Sequence, residues 1–174
     1  LVRKKDGRTR FCVDFRRLNL IMQFDAEPIP DVEHLFTKLA HAQFFSKLDL
    51  SRGYWQIPMS PDDKPKTAFS TPSGQFQWTV MPFGLKTAGA VFSRMMRALL
   101  QPLGREDVDN FIDDILIASR TWGEHMEAVR AVLHRLRESG LSVRPSKCFF
   151  GFEEVEYLGF RVGQGFVRPE EGEV

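Results

Sequence analysis

The segment Asn110-Phe111-Ile112-Asp113-Asp114-Ile115-Leu116-Ile117 places two adjacent carboxylates inside an apolar run. Adjacent carboxylates repel, and burying them among such neighbours costs on the order of several kcal/mol unless something compensates. The flanks have strand character, and in a strand successive side chains point to opposite faces. A continuous strand would therefore bury at least one of the two acids. The segment reads instead as two short strands that break at Asp113-Asp114. Two meanings of that break stay open here. One is a hairpin tip with two solvated aspartates, since Asp is a good turn residue. The other is a divalent-metal site built from hard oxygen ligands.

A second acid bears on the choice. In Phe45-Ser46-Lys47-Leu48-Asp49-Leu50-Ser51-Arg52-Gly53-Tyr54-Trp55, Asp49 ends an apolar strand and a Gly-aromatic turn follows. Asp commonly ends strands, so this signal is weak alone. If the two strands lie side by side, three carboxylates meet at one end of a sheet. That set suits two Mg²⁺ ions, as used for in-line phosphoryl transfer.

The chain of 174 residues carries 43% hydrophobic and 27% charged side chains, enough for a sizeable core and against a disordered tail, a fibre or a coiled coil. A net charge of +1 says nothing of a polyanionic partner, but its distribution does. Residues 1–20 hold seven Lys/Arg against Asp6 and Asp14, whereas residues 105–114 hold five acids against Arg105. The two cysteines, Cys12 and Cys148, have no CxxC spacing, so a disulfide scaffold or zinc ribbon is not expected and a reducing compartment is the default. His34, His41, His125 and His134 fit no metal spacing and read as surface or helix residues. No apolar run approaches the roughly 18 residues of a membrane span, so no membrane partner is expected. The chain lacks an initial Met and reads as a piece of something longer.

Periodicity and turn residues give an α+β layout with helices packed on a mostly antiparallel sheet. Strands are expected over 11–15, 44–50, 66–71 and 75–81, with a basic Lys4-Lys5-Asp6-Gly7 hairpin turn before the first. Residues 24–30 read as an extended connector with two prolines. Helices are expected over 31–40 and 88–103, and a long one after Thr121, where Thr121 and Glu124 form a capping-box pattern. Its apolar stripe is Met126, Val129, Val132, Leu133 and Leu136, and Gly140 closes it. Strands over 149–152, 157–162 and 166–167 end the chain.

Six motifs in order make the sequence resemble the reverse transcriptase domain of long-terminal-repeat retrotransposons of the Ty3/gypsy type, relatives of the retroviral polymerases. They are Arg10-Phe11-Cys12-Val13-Asp14-Phe15-Arg16-Arg17-Leu18-Asn19; Leu48-Asp49-Leu50-Ser51-Arg52-Gly53-Tyr54-Trp55-Gln56-Ile57 with Lys66-Thr67-Ala68-Phe69; Met81-Pro82-Phe83-Gly84-Leu85; Phe111-Ile112-Asp113-Asp114; Lys147-Cys148; and Tyr157-Leu158-Gly159-Phe160. The resemblance implies the fingers (about 1–43 and 62–85) and palm (44–61 and 86–174) of a right-hand polymerase, without thumb, ribonuclease H or integrase. It implies that Asp49, Asp113, Asp114 and the Leu50 carbonyl hold two Mg²⁺ ions, with Mn²⁺ as an alternative. Lys4 and Arg10 would grip the triphosphate of the incoming dNTP, Arg by a bidentate fork and Lys as a point charge. Tyr54 would lie against the sugar, with Phe83 lining the same pocket, and Lys147 would be a proton donor to pyrophosphate. Leu158, Gly159 and Phe160 would form the primer grip, Gly159 allowing close backbone approach.

The implied partners are an RNA or DNA template with its primer, dNTPs, and the rest of a polyprotein; the implied location is intracellular, in cytoplasm or a virus-like particle. Phe111 replaces the commoner Tyr, and Ala88-Gly89 the commoner Ala-Pro; neither touches an expected metal ligand. Two other readings remain: a catalytically silent remnant that binds nucleic acid or protein, and an unrelated two-metal nuclease, which has no use for Tyr54 or the primer-grip motif.

Overall fold

A computed structural model describes residues 2–3, 7, 9–27 and 32–169. In chain order its elements are β1 (Val2–Arg3), β2 (Thr9–Arg10), α1 (Arg16–Ile21), α2 (Val32–Leu39), β3 (Phe44–Asp49), β4 (Phe69–Thr71), β5 (Gly74–Phe76), α3 (Ala88–Leu100), β6 (Val108–Phe111), β7 (Asp114–Ser119), α4 (Trp122–Glu138), β8 (Phe149–Phe152), β9 (Glu154–Tyr157), β10 (Phe160–Gly163) and β11 (Phe166–Pro169). The class is α+β, as expected, and every described strand pairing is antiparallel. No described helix is long and apolar enough to cross a membrane. The chain forms two compact units, Leu1–Ala26 with Arg52–Phe92 and Glu27–Ser51 with Ser93–Val174.

The second unit is built on a four-stranded sheet in the order β6-β7-β3-β8. Its register pairs Ser46 with Ile117, Leu48 with Ile115 and Asp49 with Asp114. The alternation of a strand then gives the sheet two different faces. Phe44, Ser46, Leu48, Ile115, Ile117 and Ser119 share the face that meets α4. Phe45, Leu116 and Ala118 share the opposite face, and they pack with Leu39 of α2 and with Val155, Tyr157 and Val162 of the β11-β10-β9 sheet. Phe45, Leu48, Ile115 and Ile117 are fully buried, each contributing about 1.5–3 kcal/mol from removed apolar area.

Helix α4 starts where its sequence says. Thr121 Oγ1 accepts from the Glu124 amide at 3.3 Å, and Glu124 Oε2 accepts from the Thr121 amide at 3.2 Å. Such a cap contributes about 1 kcal/mol. The stripe is rotated from the expected one. His125, Ala128, Val129, Val132 and Leu136 are buried, whereas Met126 is exposed. On the buried face His125 meets two serine hydroxyls, Ser46 Oγ at 2.7 Å and Ser119 Oγ at 3.1 Å.

In the first unit, β1 pairs with β2, and β4 with β5. The strand expected over 11–15 is irregular chain, with Phe15 buried just before α1. The strand expected to begin at 66 starts at Phe69, because Pro65 opens a 3-10 turn, Lys64–Thr67. Thr67 Oγ1 accepts from the Trp78 amide at 3.0 Å, so a side chain replaces the ladder there and β5 ends at Phe76. The helix expected to reach 103 gives way to a 3-10 turn at Gln101–Leu103, where Pro102 lacks an amide proton. The strand expected over 157–162 is split by a hairpin turn at Leu158-Gly159, both with positive φ (+55° and +75°), so that Tyr157 ends β9 and Phe160 begins β10.

Candidate active site

Asp49 ends β3 and Asp114 begins β7, directly opposite each other. Two residues, Ile112 and Asp113, join β6 to β7, with Ile112 at φ +52°. The Leu50 amide donates to the Asp113 carbonyl at 3.3 Å. That bond makes Asp49 and Asp114 a non-hydrogen-bonded pair, the kind in which Cα atoms approach to about 4.5 Å and side chains are closest. Like charges in such a pair destabilise a sheet. Burial pushes the Asp114 carboxyl above its ordinary range; Lys47 and Lys147 pull it down, and the Asp113 and Asp49 charges push it further up. Asp113 is exposed at the turn, and Asp49 and Asp114 are half-buried.

The end of β3 is anchored from the other side as well. The Arg144 amide donates to the Asp49 carbonyl at 2.8 Å, and the Ser51 amide to the Ser142 carbonyl at 2.9 Å. Leu50 is buried between these bonds. Lys147 follows in a 3-10 turn, Pro145–Lys147, exposed and within electrostatic reach of Asp114. Lys47 shares the Asp49 face and donates to the Glu156 carbonyl of β9 at 2.9 Å, a tie that no motif assigned. Tyr157 is buried there, and burial first, then the Asp109 and Asp114 charges, push its hydroxyl above its ordinary range.

The structure thus gathers Asp49, Leu50, Asp113, Asp114 and Lys147 at one end of the sheet. It also sets Leu158 and Phe160 against the apolar cluster that contains Leu116, two residues along β7 from Asp114. Phe160 packs edge-on to Phe36, with ring centroids 5.0 Å apart. A Cβ on Gly159 would meet nothing within 4 Å, so its backbone conformation is what calls for glycine here.

Tyr54 and Phe83 belong to the first unit, where they meet each other, ring centroids 5.5 Å apart. Tyr54 sits in the 3-10 turn Gly53–Gln56 and also packs against Phe92 at 5.5 Å. Asn19, a motif residue to which no role was attached, clamps the loop after Phe83. Its Nδ2 donates to the Gly84 carbonyl and its Oδ1 accepts from the Lys86 amide, both at 2.8 Å. Gly84 has φ +93°, which a side chain would strain. Lys4 lies outside the described residues, and so does the Arg10 side chain, although its backbone forms part of β2.

Among the described residues no group of three His, Cys, Asp or Glu side chains is gathered closely enough to hold a metal by itself. The donor chemistry nonetheless fits Mg²⁺. The acids are hard oxygen donors, one of them raised in pKa first by burial and then by the neighbouring acid charges, and Mg²⁺ is ordinarily held by one or two carboxylates with water and substrate phosphate rather than in an all-protein cage.

The family described as reverse transcriptase (RNA-dependent DNA polymerase) matches residues 2–162. The retrovirus-related Pol polyprotein from transposon 297 of Drosophila melanogaster is 37% identical over 160 residues, covering 92% of this chain and 15% of that protein. That from transposon opus of the same organism is 40% identical over 153 residues, 88% of this chain and 15% of the relative. The genome polyprotein of Petunia vein clearing virus (isolate Shepherd) is 35% identical over 94% of this chain and 7% of its own length. Among solved structures, the foamy viral protease-reverse transcriptase dRH in complex with ds DNA superposes with TM-score 0.87 and 28% identity, over 98% of this chain and 30% of the other. The foamy viral protease-reverse transcriptase in complex with RNA/DNA hybrid gives 0.82 and 26%, over 98% and 23%. The chain belongs to the reverse transcriptase family, of the type found in retrotransposon Pol polyproteins, as its motifs implied. It spans a small part of the curated relatives it matches.

Proposed function

We propose that this chain carries the polymerase centre of a retrotransposon reverse transcriptase and transfers nucleotides from dNTPs to a primer 3′-hydroxyl on an RNA or DNA template. The observation that carries this reading is the pairing of Asp49 with Asp114 across β3 and β7, with Asp113 in the turn between β6 and β7. Nothing in a stability argument favours two carboxylates in the closest kind of cross-strand pair; a bound cation does. In this reading Asp49, Asp113, Asp114 and the Leu50 carbonyl hold two Mg²⁺ ions, or Mn²⁺ in their place. When bound, the ions activate the 3′-hydroxyl and neutralise the charge that develops on the leaving pyrophosphate.

The remaining work falls to the chain's own groups. Lys147 holds a proton for the leaving pyrophosphate. Arg10 and Lys4 grip the triphosphate, the guanidinium through a planar fork. The Tyr54 ring, backed by Phe83 and Phe92, walls the sugar site and leaves no cavity for a 2′-hydroxyl. Leu158, Gly159 and Phe160 hold the primer end, mainly through its phosphates. Residues of about 1–43 and 62–85 serve as fingers and residues 44–61 and 86–174 as palm. Complexes of the foamy viral relatives with ds DNA and with RNA/DNA hybrid support a primer–template partner. The polyprotein relatives support a setting inside the cell, in cytoplasm or a particle, with thumb, ribonuclease H and integrase elsewhere in the polyprotein.

The test is the length of a labelled primer after incubation of the chain with template, dNTPs and Mg²⁺. Extension is expected. An unchanged primer would favour a silent binding remnant, and a shortened one a two-metal nuclease.

A further inference from the structure

His125 of α4 is buried to 1% exposure, yet it is a titratable ring on an otherwise apolar helix face. Its Nε2 lies 2.7 Å from Ser46 Oγ of β3, and its Nδ1 lies 3.1 Å from Ser119 Oγ of β7. The neighbouring bonds fix which atom donates. Arg105 donates to both Asp107 oxygens, each at 2.9 Å, so that carboxylate is a charged acceptor. Ser119 Oγ donates its single proton to Asp107 Oδ2 at 3.1 Å and must therefore accept from His125 Nδ1–H. Nε2 is then the acceptor, and Ser46 Oγ donates to it. Ser46 Oγ in turn accepts from the Gly151 amide of β8 at 2.9 Å. Every proton in this chain is used once, and one neutral imidazole ties together β7, β3, β8 and α4.

The charged and titratable groups that face this ring are few. Asp107, backed by Arg105, stands beyond Ser119, and the Trp122 and Phe44 rings flank the imidazole, with centroids 6.1 and 6.2 Å away. Burial holds the imidazolium form down, with only the Asp107 charge opposing it, which suits the neutral tautomer that the bonds require.

These bonds name one residue on each strand, so they exist in one register only. A one-residue slip of β3 against β7 would turn Ser46 away from α4 and Asp49 toward it. A two-residue slip would keep the faces but carry the hydroxyls roughly 7 Å out of reach. We propose that His125 is a positioning residue: through Ser46 and Ser119 it locks the β3–β7 register that sets Asp49 opposite Asp114. The inference rests on the polymerase reading for its consequence, though not for its geometry. A buried polar group that specifies register at some cost in stability has precedent in coiled coils.

The experiment uses the whole chain with three readouts. Long-range ¹H–¹⁵N correlation should show His125 as the Nδ1–H tautomer at neutral pH. His125→Phe keeps a ring in the core; it should speed exchange of the Leu50 and Ile115 amides at least tenfold. It should also lower kcat for dNTP incorporation at least tenfold, with KM changed less than twofold. Ser46→Ala should act alike, and the double variant should fall short of the sum of the two single effects, since both remove the His125–Ser46 bond. Where His125→Phe fails to fold, Ser46→Ala gives the same readouts. An Nε2–H tautomer, unchanged exchange, or unchanged kcat in a folded variant would overturn the proposal. If the parent chain extends no primer, the polymerase reading fails by itself, and the exchange measurement alone decides the register lock.

Discussion

Two hairpin turns of the second unit make a useful pair. The turn at Leu158-Gly159 joins β9 to β10, and both of its central residues have positive φ, with glycine at the second. Glycine at the second position is ordinary for a two-residue hairpin, whereas Leu158 at the first puts a bulky side chain in the left-handed region. The turn at Ile112-Asp113 joins β6 to β7 and holds a β-branched residue at φ +52°, followed by the crowded acids. A β-branched side chain in that region is strained, and the strain persists only where the surroundings over-determine it. Both turns hold a bulky residue at positive φ; the first closes on glycine and presents backbone, and the second closes on Asp113 and presents charge. In the proposed function the first turn holds the primer end and the second holds the cations.

The largest expected effect sharpens this contrast. Asp113→Asn should lower primer extension by about two orders of magnitude or more, because losing a hard anionic ligand removes a cation rather than loosening it. Its thermal unfolding should be unchanged, since the side chain is exposed. If Gly159→Ala lowered kcat as far, the two turns would be doing the same work and the contrast would fail. Next in size is a change of selection rather than rate. Tyr54→Val should raise kcat/KM for rCTP relative to dCTP by about tenfold or more, since the packed ring excludes the hydroxyl. An unchanged ratio with lower stability would leave Tyr54 as a packing residue.

Gly159→Ala should cost about 1–2 kcal/mol, the penalty for a Cβ at positive φ. A fall of a few degrees in Tm checks it. No neighbouring atom would clash, so the loss should be purely conformational. The smallest effect is at Asp114. Its folded pKa lies above the ordinary 3.8, so the folded state keeps its proton more readily than the unfolded chain. The carboxyl therefore costs nothing below about pH 3.8, and destabilises progressively as pH rises through the folded value. Asp114→Asn should raise the metal-free Tm by a degree or two at pH 7, and the gain should vanish in acid. Added Mg²⁺ should raise the Tm of the parent more than that of the variant.

What the sequence made legible was local. The break at Asp113-Asp114 and the Thr121–Glu124 cap each depend on a few neighbouring residues. The order of the motifs gave the family. The register that brings Asp49 to Asp114 depends on strands 65 residues apart in sequence, and neither strand announces its partner. His125 is a helix residue, as expected, on α4, but it is buried rather than at the surface. Its spacing of four, three and four with Val129, Val132 and Leu136 was the available signal, obscured because Met126 made an equally apolar stripe. Lys47 and Asn19 were missed for the same reason, since their partners are backbone atoms far along the chain.

In the proposed function the Asp49–Asp114 pair exists to hold a cation for nucleotide transfer. The most direct test compares the parent chain with Asp49→Asn in single-nucleotide primer extension over a Mg²⁺ titration, with thermal unfolding of both in parallel. The account expects Mg²⁺-dependent extension by the parent, and loss of about two orders of magnitude or more in a variant that is folded as well as the parent. Extension by Asp49→Asn within a few-fold of the parent, at the same Mg²⁺ concentrations, would contradict it.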